Sequence, residues 1–181
     1  MTADISWIMF LGIVLIVATV TDLRFQKIPN ILTFPVMVTA LTYHGGTNGL
    51  DGLLFSAAGL ALGIALLILP YFLGVMGAGD VKLMGAVGAI LGARGAFIAF
   101  LFTGIAGGIY ALILFAVSRQ YFKGFFARYA TTLKTFAFTG QFVPIPAAED
   151  EKKPKLCYGV AIALGTLFSV FLESSGYVFP I

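Results

Sequence analysis

Only 10% of the 181 residues are charged, and the chain holds one cysteine, one histidine and one tryptophan. Ordinary globular domains carry about 25% charged residues. The 11 Lys+Arg and 8 Asp+Glu here are too few to clothe a soluble fold of this length. The single Cys157 excludes an internal disulfide and a multi-cysteine zinc site, and the single His44 excludes a His-rich metal centre. Apolar residues stand in the place of charge: 60% hydrophobic and 14% aromatic, in long runs, which also excludes a disordered chain. This is the composition of an integral membrane protein, with the lipid bilayer as its surroundings.

Six apolar runs read as transmembrane helices, at residues 5–21, 31–43, 53–73, 81–93, 96–117 and 156–172. They predict an all-α, polytopic fold in a single membrane-embedded domain over residues 1–181. No Lys or Arg precedes the first run, whereas Arg24 and Lys27 follow it. That asymmetry puts the N-terminus outside and excludes a cleaved signal peptide. Six crossings then place ten of the eleven Lys and Arg in the cytoplasm and Arg94 alone outside. Topology thus accounts for the net charge of +3 and removes the case for a nucleic-acid partner. His44 falls in an external Gly/Asn loop and reads as solvated. Residues 118–155 read as a cytoplasmic amphipathic loop, whose Arg119, Lys123, Arg128 and Lys134 alternate with Tyr121, Phe122, Phe125 and Phe126. Such a pattern suits the headgroup layer, with substrate docking as the other reading.

The runs 31–43 and 81–93 are short: about 20 Å at ~1.5 Å per residue, against a hydrocarbon core of ~30 Å. Either the bilayer thins there, or their cytoplasmic ends line a wet hollow. Two carboxylates at its edge favour the hollow. Asp22 closes the first span and Asp80 opens the fourth, both on the cytoplasmic side, so the topology lets them meet. Ionisable groups at such a boundary are candidates for function. Two carboxylates held together do not both ionise cheaply, so the pair is suited to hydrolysing an amide. One member takes a proton from water while the protonated one polarises the carbonyl, with no metal or cofactor. Gly77 and Gly79 leave room for close approach to Asp80, and Pro29 suits a helix start. Lys82 reads either as the partner of a carboxylate or as a contact to lipid phosphate. The bland alternatives are that Asp80 is a helix cap, Asp22 a solvated interfacial residue, and Gly85, Gly88 and Gly92 close-packing positions.

The tetrad Gly77-Ala78-Gly79-Asp80, followed by Val81-Lys82-Leu83-Met84, resembles the GxGD motif of the type IV prepilin peptidases. Asp22-Leu23-Arg24 through Ile28-Pro29-Asn30 is similar to the family's other aspartate motif, and Lys155 through Gly165 resembles its last helix, with Cys157 where proline is expected. The resemblance covers nearly the whole chain. It implies an aspartic endopeptidase of the inner (cytoplasmic) membrane that removes short basic leaders from prepilin-like or preflagellin-like precursors at the cytoplasmic face. Asp22 and Asp80 are then the catalytic pair, and Gly77, Gly79, Lys82, Pro29 and Asn30 shape the site. The N-terminal four-cysteine zinc region of larger, N-methylating relatives is not expected, which points to the small peptidase-only branch. Two rivals remain. A presenilin-like protease is expected to carry Pro-Ala-Leu, to which Pro146-Ala147-Ala148 is the nearest approach. A proton-coupled carrier would use the carboxylates as a relay. Nothing in the residues sets an oligomeric state.

Overall fold

The computed structural model describes residues 5–73, 76–117 and 157–175. Among these, all regular structure is helical: α1 (Ile5–Phe25), α2 (Asn30–Phe72), α3 (Ala78–Val117) and α4 (Tyr158–Ser174). The expected loop at 118–155, and the Pro146-Ala147-Ala148 segment within it, lie outside the described residues. α1, α2 and α3 are long and apolar enough to cross a membrane, and α4 is a shorter apolar helix. Helix is what an apolar segment adopts in lipid, because it satisfies every backbone polar group within the segment.

The chain's contacts divide it into two units. The larger comprises Met1–Gly108 and Cys157–Ile181, and only the last turns of α3, residues 109–117, are described from the other.

Both long helices break at a glycine. In α2 the backbone leaves helical geometry at Asn48 (φ −123°, ψ 15°) and Gly49 (φ 60°, ψ −139°), and in α3 at Gly92 (φ 74°, ψ 178°). These glycine conformations are closed to residues with a Cβ. Side-chain contacts give the direction of each stretch. Residues 30–47 run alongside 78–91, since Asn30 meets Lys82, Met37 meets Gly85 and His44 meets Ile90. Residues 50–72 run the opposite way, with Gly59 on Gly88 and Gly63 on Met84. Past Gly92 the chain returns, bringing Ala96 to Gly88, Thr103 to Gly165 and Gly107 to Tyr158. α1 starts with Trp7 against Tyr43 and His44 and finishes with Asp22 at Gly159. Among the described residues, six helical stretches therefore pass back and forth between two ends. Trp7, His44 and Gly92 lie at one end, and Asp22, Asn30, Asp80 and Tyr158 at the other.

The first half of α3 is the centre. Val81, Leu83, Met84, Ala86, Val87, Ala89 and Ile90 are all buried, among Leu11, Leu15 and Ala18 of α1, Val36, Met37 and Ala40 of α2, and Ile162 and Ala163 of α4. A helix apolar all round belongs in such a position. Gly85 and Gly88 do the close packing expected of them: Gly88 lies backbone to backbone on Gly59, and Gly85 lies under Ile64 and Met37. The outward faces carry large apolar side chains, Ile31, Phe34, Val38, Leu54, Leu112 and Phe171 among them, a surface that lipid solvates and water does not.

Two expectations are corrected. His44 is not in a solvated loop. Helix continues through that region, and the ring is half-buried against Trp7, Tyr43 and Phe55, with Nε2 3.2 Å from the Ile90 carbonyl. The break at Gly92 strips the preceding carbonyls of their helical partners. Ser56 Oγ donates to the Ala89 carbonyl at 2.7 Å, and His44 serves Ile90 when its proton is on Nε2. The run 31–43 is not short either: helix extends it to roughly 27 Å over 30–47. Only 78–91, roughly 21 Å, stays well below the ~30 Å of a hydrocarbon core.

Candidate functional site

Asp22 sits in the last turn of α1. That helix stops because Gln26 turns left-handed (φ 52°) while its N–H still bonds the Asp22 carbonyl at 2.8 Å. The side chain then faces the start of α4. The first backbone N–H groups of a helix have no partner within it, and Cys157, at the cap position, makes no side-chain cap bond to them. Asp22 supplies one instead: Oδ2 accepts from the Gly159 N–H at 2.9 Å. A Cβ on Gly159 would lie 2.9 Å from that oxygen and 3.2 Å from Asp22 Cβ, so only glycine lets the carboxylate approach. Cys157 is buried beside it, with Sγ 3.9 Å from the Asp22 carbonyl oxygen.

Asp80 is built in a parallel way. It lies in the first turn of α3, its N–H donates to the Gly77 carbonyl at 3.1 Å, and its Oδ2 accepts the Gly77 N–H at 2.9 Å. This is the reach-back half of a capping box. The cap reading of Asp80 is thus correct as local structure. The same is true of Asp22 toward α4, but the expectation of a solvated interfacial Asp22 is not met. Both aspartates are 7% exposed. Each carboxylate is in the other's electrostatic field, and Tyr158, next to Gly159, is in that of Asp80. Among the described residues, the hydrogen bonds to both carboxylates fall on Oδ2.

The other expected site residues lie on the α1–α2 connection and at the starts of α2 and α3. A Cβ on Gly79 would stand 3.0 Å from Ile28 Cβ and 3.2 Å from its backbone N and O, so what approaches there is the α1–α2 connection itself. Gly77 has more room, with Asp80 Oδ2 the nearest atom at 3.5 Å. Pro29 is the N-cap of α2 (φ −71°, ψ 141°), and its carbonyl accepts the Leu32 N–H at 3.0 Å. Lys82 is not on a carboxylate: Nζ donates to Asn30 Oδ1 at 2.8 Å and stands 5.2 Å from the centroid of the Phe34 ring. Sequence reasoning missed Tyr158 and Gly159. A glycine two residues inside an apolar helix was the available signal, and it reads equally as packing. Among the described residues no group of three or more His, Cys, Asp or Glu is placed to hold a metal.

Residues 9–112 match the sequence profile of the type IV leader peptidase family. A protein of Bacillus subtilis (strain 168), named prepilin leader peptidase/N-methyltransferase, is 34% identical over 106 residues, covering 57% of this chain and 42% of that protein. The chain thus spans less than half of that relative's length. No solved structure matches it.

Proposed function

Because the chain belongs to the type IV leader peptidase family, we propose that it is a membrane aspartic endopeptidase, with Asp22 and Asp80 as its catalytic pair. Its substrates are prepilin-like or preflagellin-like precursors with short basic leaders. Of the two activities in the Bacillus relative's name, we carry over the leader-peptidase one. The observation that carries the reading is the pair itself: two buried carboxylates from distant parts of the chain, in each other's field, each anchored through one oxygen by a backbone N–H at a helix start. Anchoring Oδ2 leaves Oδ1 of each for water and substrate.

The six stretches are six crossings of the inner membrane, with the N-terminus outside and the aspartates at the cytoplasmic face, a reading that the Lys and Arg distribution supports. The precursor's apolar helix lies in the bilayer and its scissile bond at that face. The two carboxyl groups hold one proton between them. The ionised one takes a proton from water as the water oxygen attacks the peptide carbon, and the protonated one gives its proton to the carbonyl oxygen. Collapse of the tetrahedral intermediate breaks the C–N bond, with a proton passing to the leaving amine, and returns the pair to one proton. The acid and base roles belong to the pair rather than to either residue.

Purified protein in lipid vesicles, given a peptide with a basic leader joined to an apolar pilin-type helix, should cut once at their junction, and a chelator should leave the rate unchanged. Intact peptide, or proton-coupled solute flux without cleavage, would overturn the reading. Gly159→Ala should lower the cleavage rate by about 10- to 100-fold, because a carboxylate displaced by a fraction of an ångström loses alignment. Rate and thermal stability measured on the same preparation check it, and an unchanged rate would detach Gly159 from the chemistry.

A further inference from the structure

We infer that Lys82 and Asn30 form a clamp that fixes the spacing of the two aspartates, and that they are positioning residues rather than substrate contacts. The inference rests on the peptidase reading. The α1–α2 connection, residues 26–29, is the short covalent tie between Asp22 and the next helix, and Gln26 starts it in the left-handed region. It lies against the first turn of α3 at two places. Ile28, buried, sits directly on Gly79, the residue before Asp80. Beyond the Pro29 cap, Asn30 Oδ1 holds Lys82 Nζ at 2.8 Å, two residues after Asp80.

The contacts therefore straddle Asp80: Gly79 on one side packs the connection, and Lys82 on the other ties it. The Gly79 contact is apolar and limits approach but not separation. The lysine bond limits separation. The lysine is held twice, by Asn30 and by the face of the Phe34 ring one turn further along α2, so its ammonium is turned back onto the protein rather than outward to headgroups. A carboxylate partner for Lys82 would put a cation on the acid pair. Asn30, a neutral acceptor, holds the lysine without supplying a rival negative charge. The aspartate and the lysine thus leave the same turn for different partners, one back to the Gly77 N–H and one to Asn30 at the start of α2.

The test uses the full chain in lipid nanodiscs. Lys82→Met and Asn30→Leu each remove one half of the bond at nearly constant volume. Each should lower kcat for leader cleavage by about 10- to 100-fold, with KM changed by less than about threefold. The double variant should be no slower than the slower single. Asn30→Gln, which keeps a neutral amide oxygen for the ammonium, should recover a larger share of kcat than Asn30→Leu. Hydrogen exchange across residues 23–33 should quicken in both single variants and stay unchanged in α4. Losses that multiply in the double variant, a change confined to KM, or unaltered exchange across 23–33 would each overturn the clamp. A wild-type protein that cuts no leader peptide, with the exchange changes still present in the two single variants, sinks the peptidase reading and leaves the clamp standing.

Discussion

Asp22→Asn and Asp80→Asn should each lower leader cleavage by on the order of 10³- to 10⁴-fold, in a protein that still folds and inserts. Asparagine keeps the shape of the side chain and an oxygen able to accept the Gly159 or Gly77 N–H, so the two helix-start bonds survive. What is lost is the shared proton: an amide neither takes one from water nor donates one as an acid. Residues that act as one unit are not additive, so the double variant should be no slower than either single. Initial rates on a leader-bearing peptide, with thermal melts that agree within about 1 kcal/mol, check both parts. Normal leader removal by either purified variant takes that aspartate out of the mechanism.

The largest expected loss of stability is at the glycine contact in the centre. Gly59 and Gly88 are in backbone contact, and a Cβ on either would meet the other's carbonyl oxygen. Gly88→Ala therefore forces α2 and the first half of α3 apart along their whole crossing, and should cost about 3 kcal/mol. Gly12→Ala is the matched control. It too is in a helix, but a Cβ there meets nothing within 4 Å, so the better helix propensity of alanine should leave it neutral or stabilised by up to about 1 kcal/mol. Unfolding titrations in bicelles compare the two. If Gly88→Ala were as stable as Gly12→Ala, this contact would not organise the fold. Because Asp80 is carried by the helix that moves, Gly88→Ala should also lose activity in proportion to the shift it causes.

Much of this arrangement was legible in the residues because it depends on bulk transfer and charge. Apolar runs located the helical stretches, and the position of Arg24 and Lys27 after the first run put Asp22 and Asp80 on one side. The motif spacing singled out Gly77, whose N–H bonds Asp80, Gly79, against which Ile28 packs, and Lys82 and Asn30, which bond each other. What could not be read depends on tertiary approach, which leaves no local period. His44, Gly45 and Gly46 look like a loop, because polarity and glycine are what loops contain. In the fold, the same histidine serves a carbonyl freed by a break nearly fifty residues later. Gly159 looks like a packing glycine until Asp22 is seen on its N–H. Lys82 suggested a carboxylate or a lipid phosphate by charge; in the fold it bonds Asn30 and not a carboxylate, because the nearest acceptor is set by where α2 begins.

Met84 lies one helical turn beyond Asp80, and Gly63 meets it there while Gly59 meets Gly88 a turn later. The rotational phase of this short helix is thus locked by backbone contact immediately behind the acid group. A single added residue between positions 80 and 84 would swing the Asp80 side chain by about 100° around the helix axis, away from Asp22, while every residue named in the mechanism remained present. Chemistry at this surface is inherited from registration deeper in the bilayer, and sequence changes that preserve the motif but alter the interval to the glycines can silence it.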